Sequence, residues 1–91
     1  MDITSFIELL EGVSLISYTF GMENHSCVNG IMNVVHVLLV DDVIEIRGDR
    51  EDTVEIHVKD IQSIQPLDEC NLIAVYLDNG ILSIYYGDPS F

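Results

Sequence analysis

Histidine and cysteine are the side chains best suited to chemistry, and five are present: His25, Cys27, His36, His57 and Cys70. His25 and Cys27 stand two apart, close enough to share one zinc ion, and two of the other three would complete a tetrahedral set. Zinc sites are ordinarily written as two close pairs, and only one such pair occurs here. His36 lies inside an apolar run and His57 alternates outward on a strand pattern, so the spacing does not favour a metal centre. A Cys–His nucleophilic pair is the other option, but no recognisable motif surrounds either cysteine. Carboxylates are abundant, yet a general acid–base pair needs two of them held in a cleft with separated pKa values. These acids alternate outward along strands or occupy turns, as on a solvated face. A glycine-rich phosphate loop is absent, and Arg and Lys together number only three. The expectation is a protein that is not an enzyme and uses no metal or cofactor.

The chemistry that remains is electrostatic. A formal charge of −13 on 91 residues repels nucleic acid and anionic membrane, and its natural complement is a basic protein surface. The charge has a focus. Residues 41–60 hold eight of the sixteen acids and all three basic residues. Outward acids two apart on a strand are spaced about 6.6 Å, a repeat that can meet Arg and Lys side chains arranged for a phosphate backbone. Asp41, Asp42, Glu45, Asp49, Glu51, Asp52 and Glu55 are therefore the candidate charge partners. Tyr76 and Tyr85, placed diagonally on the non-core face of the last hairpin with Ile81 nearby, are the candidate apolar anchors.

In length and charge the chain resembles two groups of small acidic inhibitors. One is the phage-encoded anti-defence proteins, such as anti-CRISPRs and DNA mimics; the other is the immunity proteins that neutralise nuclease toxins. No motif matches a particular family, so the resemblance transfers no functional residues. It implies a partner that is a basic protein, a nucleic-acid-binding enzyme, with no direct contact to nucleic acid or membrane. The alternative is a structural or regulatory module that self-associates, as a homodimer, through a strand edge or the Tyr76/Tyr85 face.

The elements that must hold these groups follow from periodicity. Apolar residues make up 48% of the chain, enough for one buried core, so residues 1–91 are expected to form a single domain. Ile3, Phe6, Ile7 and Leu10 make one stripe on a short helix, with Asp2 or Ser5 as its cap and a left-handed Gly12 as its end. From Val13 the period is two: Ile16, Tyr18 and Phe20 share a face, and Gly21 suggests a bulge or bend. Asn29-Gly30 offers a tight turn before a strand over 31–40 that is apolar on both sides, as for a central strand covered twice. Asp41-Asp42 marks a turn or a sharp bend. The hairpin that follows points Ile44, Ile46, Val54, Ile56 and Val58 inward. Its charges favour a three-residue loop over 48–50, which opposes Arg47 to Glu51 and keeps Glu45 away from Glu55.

Residues 61–67 read as either a helical turn or an irregular edge piece, and 66–71 as a loop. The last hairpin, 72–77 with 81–86, takes a two-residue turn at Asn79-Gly80 that sets Leu77 opposite Leu82, and Gly87 to Pro89 stop it. The expected fold is α+β: a short N-terminal helix packed on a five- to six-stranded antiparallel meander, either a strongly bent sheet or a small open barrel. Two isolated cysteines, no secretory leader and no apolar run of membrane length point to a cytoplasmic protein with free thiols. Asn24-His25-Ser26 then matches a glycosylation acceptor only by accident.

Overall fold

A computed structural model describes residues 1–22 and 27–86, with all side chains among them except those of Met22, Cys27 and Asp68. The first helix, α1 (Ile3–Glu11), begins where Asp2 can accept from the backbone: the Ser5 N–H donates to its Oδ1 at 2.8 Å. The apolar stripe then buries Phe6 and Leu10 completely, each worth about 2–3 kcal/mol. Gly12 ends the helix with φ −88° rather than in the left-handed region, its N–H donating to Leu9 O at 3.2 Å.

Among the described residues seven strands follow, one or two more than periodicity suggested: β1 (Leu15–Met22), β2 (Cys27–Val40), β3 (Val43–Gly48), β4 (Thr53–His57), β5 (Ile61–Leu67), β6 (Leu72–Leu77) and β7 (Gly80–Tyr86). The added strand is β5, for which the irregular edge reading holds and the helical turn does not. It pairs only with β6, with a register shift between Ile61 and Ser63. An edge strand tolerates Pro66, which has no N–H to give a second neighbour. Short 3₁₀ turns, Val58–Asp60 and Asp68–Cys70, flank it.

The antiparallel sheet runs β4-β3-β2-β1-β7-β6-β5, so the first and last strands pair and the two edges, β4 and β5, are neighbours in the chain. Laid flat, six strand spacings of about 4.8 Å would part those edges by roughly 29 Å. Yet Ile56 of β4 and Ile64 of β5 share one buried cluster with Phe6 and Leu10. The sheet therefore curls around its core, without closing. Among the described residues no helix is long and apolar enough to cross a membrane.

The fourteen-residue β2 makes the curl. Its residues 27–33 pair with β1 and its residues 34–40 with β3, with a register shift between Val34 and His36. The extra residue reverses the inward parity, from Met32 before it to Val37 after it. This overturns the reading of β2 as covered on both faces: Ile31 is 65% exposed, and Val35 and Val40 lie open as well.

Three local readings also change. Asn29 and Gly30 lie inside β2, opposite Thr19 and Tyr18, and form no turn. Gly21 sits in unbroken register between Cys27 and Ile81, so the bulge is in β2 instead. In the last hairpin Leu77 pairs with Gly80 and Val75 with Leu82, which places the turn at Asp78-Asn79. Asp78 is held out of the ladder from its far side: its N–H donates to Asp60 O at 3.0 Å, and Gln62 Nε2 donates to its Oδ1 at 3.1 Å. The expected stop at Gly87 to Pro89 lies outside the described residues.

Candidate functional site

The acids gather at three levels along the outer side of β3 and β4. At one end Asp41 and Asp42 form the two-residue turn between Val40 and Val43, with φ 51° and 62°. The Asp42 carbonyl accepts from Val58 N at 2.9 Å, which ties this turn to the end of β4. At the middle level Glu45 lies directly opposite Glu55. At the far end Asp49, Glu51 and Asp52 belong to the β3–β4 turn, about 17 Å from the first level along a six-residue strand.

The β3–β4 register differs from the one that charge separation favours. Arg47 pairs with Thr53 and Glu45 with Glu55, so the connection is the longer, symmetric one. Two contacts account for it. Asp52 closes the turn, its carbonyl accepting from Gly48 N at 2.8 Å and its Oδ1 from Arg50 N at 3.3 Å. Arg47 then relieves the opposed carboxylates from within its own strand, reaching Glu45 Oε1 with Nη2 at 3.0 Å and Nε at 3.3 Å. Among the described residues this is the one ion pair, so most of the carboxylates stay uncompensated. Glu51 occupies the left-handed region at φ 64°.

Tyr76 and Tyr85 are both on the surface, 38% and 50% exposed. They are not diagonal neighbours: Tyr76 opposes Ile81 and Tyr85 opposes Leu72, two rows or about 13 Å apart along the strands. They belong to a face that sequence reasoning did not assemble. Reading the registers across β2, β1, β7, β6 and β5, one row runs Ile31, Ser17, Tyr85, Leu72, Leu67. The next holds Asn29, Thr19, Ser83, Ala74 and Gln65, and the third holds Gly21, Ile81, Tyr76 and Ser63 beyond Cys27. None of these residues is charged. The signal available in the sequence was the outward parity of Ser17, Thr19 and Ser83, which carries no strand order and so could not align the rows.

The acidic turn and the uncharged face meet at one point. Asn33, one row beyond Ile31, donates from Nδ2 to Asp49 Oδ2 at 3.2 Å. A shallow hollow there is lined by Leu15, Ile31, Asn33, Asp49 and Asp52, among others. Two further hollows flank the Tyr76 ring, one against Gly21 and Ile81 and the other against Gln65 and Leu67. All three are open depressions.

The histidines do not converge. His36 opposes Arg47 on β2 and His57 opposes Val43 on β4, both exposed, and Cys70 is an exposed free thiol in the Asp68–Cys70 turn. Among the described residues no three His, Cys, Asp or Glu side chains gather as metal ligands. His25 lies outside the described residues, as does the Cys27 side chain. The chain matches no family model, no curated protein and no solved structure.

Proposed function

We propose that this protein is a non-enzymatic acidic inhibitor, acting in the cytoplasm, that occupies the basic nucleic-acid-binding site of a partner protein. The phage anti-defence proteins and DNA mimics, or the nuclease-toxin immunity proteins, are its functional analogues. The observation that carries this reading is the three-level carboxylate strip on β3 and β4, with its single internal ion pair. Carboxylates on a curled sheet, which serves as a small open barrel, stand at set spacings and keep their charge for a partner. Long-range attraction speeds the encounter, and apolar contacts around Tyr76 and Tyr85 slow release.

The test is capture on immobilised basic nucleases and nucleoproteins, with solution mass measured in parallel. Salt-sensitive capture at monomer mass supports inhibition. Changing Asp49, Glu51 and Asp52 to Lys then slows association several-fold at low salt, and an unchanged on-rate removes this turn from the mechanism. A second reading rests on the unpaired edges of β4 and β5 and the exposed tyrosines: a module that self-associates, with acidity serving solubility. A stable dimer without capture favours it.

A further inference from the structure

Although the chain has sixteen acids, its described residues present a broad face without one charged side chain. On the outer side of the five strands from β2 to β5, the row Ile31, Ser17, Tyr85, Leu72, Leu67 crosses about 19 Å, four strand spacings. Tyr76 and Ile81 extend the apolar area two rows along. The charges stand at its borders. Asp49 and Asp52 adjoin the Ile31 end through Asn33. Glu69, exposed, lies in the Asp68–Cys70 turn that follows Leu67 at the other end, and Asp78 closes the Tyr76 side through Gln62. Two cations lie towards the borders: Arg50, in the acidic turn, lines the hollow at the Ile31 end together with Asp49 and Asp52, and Lys59 lies in the Val58–Asp60 turn.

We propose that this face is the seat for the apolar part of the inhibited partner, a protein surface with an apolar ridge flanked on both sides by Arg or Lys. The inference rests on the acidic-inhibitor reading and adds the second half of the contact. Two features select this occupant over a second copy of the chain. Face to face, two copies would set carboxylate rims against each other with few cations to separate them. The uncharged area, roughly 19 by 13 Å or about 250 Å², is also far below the ~800 Å² per partner of a stable interface. It becomes sufficient only if the acidic border takes part, and that border calls for cations. An apolar centre with a charged rim is the ordinary anatomy of such a contact.

The experiment titrates the ¹⁵N-labelled protein with two nine-residue peptides while amide shifts and solution mass are followed. The first has Arg at both ends and Leu, Trp and Leu at its third, fifth and seventh positions, with Ser elsewhere. The second has Ser at those three inner positions. The first is expected to bind about tenfold more tightly, with shifts centred on Ser17, Ile31, Leu72 and Tyr85. Tyr85→Ser with Leu67→Ser, both half exposed, removes that advantage, so that the two peptides bind the variant alike. Equal binding of the two peptides, with shifts confined to residues 41–55, overturns the seat while sparing the acidic reading. Binding of neither overturns both. A doubled mass without peptide, with concentration-dependent shifts on this face, makes a second copy the occupant and overturns the proposal.

Discussion

The ring of Tyr18 lies over the bare Cα of Gly30, its cross-strand partner: a Cβ on Gly30 would stand 2.5 Å from Tyr18 Oη and 2.7 Å from Cζ. Glycine inside a strand forfeits packing, and here an aromatic ring from the neighbouring strand fills the gap. Tyr18 also packs against the buried cluster, so its ring has little freedom to move aside. Gly30→Ala is expected to cost about 1–3 kcal/mol as overpacking, more than the ~0.4–1 kcal/mol gained from a stiffer unfolded chain. Tyr18→Ala removes the obstacle, so the double variant should lose about 1 kcal/mol less than the sum of the two single changes. Urea unfolding of the three variants measures this. Strict additivity would mean that the ring does not hold the position.

The same pair shows how far the sequence could be read. Asn29-Gly30 has the composition of a hairpin turn, and only the pairing of Tyr18 with Gly30 shows that the glycine is there for a ring. Inward and outward parity was legible almost everywhere: Ile44, Ile46, Ile56, Ile73, Val75 and Ile84 are all buried as alternation predicts. Register and partner choice were not, because a shift that preserves parity costs the apolar pattern nothing. The β3–β4 connection was settled by Asp52 and Arg47, and the last turn by Asp60 and Gln62, contacts that no local pattern encodes. The acidic strip was therefore legible residue by residue. The uncharged face was not, since it exists only once five strands are in order.

Glu45 opposite Glu55 is a repulsive pair with a built-in shield. Arg47, half exposed, reaches only Glu45. Arg47→Ala should therefore destabilise by about 0.3–1 kcal/mol, the range for an exposed ion pair. Glu55→Lys turns the repulsion into a cross-strand attraction and should stabilise by about 0.5–1 kcal/mol. Both effects should shrink in roughly 1 M salt, where screening acts within about 3 Å. Thermal unfolding at low and high ionic strength checks the two variants. A stabilising Arg47→Ala would show that the pair does not matter.

Asp41 and Asp42 both sit at positive φ, in a turn whose geometry suits Asn-Gly far better. Two adjacent carboxylates there accept backbone strain and mutual repulsion together. Asp41→Asn with Asp42→Gly is expected to stabilise the fold by about 1 kcal/mol, read as a higher urea midpoint at unchanged slope. If the proposed function holds, the same change should slow association with a basic partner, because it removes the first level of the strip. Stability gained with association untouched would confine partner recognition to the other two levels.

Asp2 makes stability depend on pH in a direction that can be worked out. The Ser5 backbone N–H, and then the Ser5 hydroxyl, hold its carboxyl below the ordinary value of 3.8. A group whose folded-state value is lowered contributes stability above its unfolded value and loses it as pH falls through the folded one. The gap in urea midpoint between wild type and Asp2→Ala should thus be constant from about pH 5 to pH 8 and narrow as pH falls below 3.8 and the carboxylate takes up its proton. Asp2→Asn keeps an oxygen acceptor at every pH, so its advantage over Asp2→Ala should persist in acid. A wild-type gap that does not narrow in acid would show that the negative charge of this carboxylate adds nothing to the helix start.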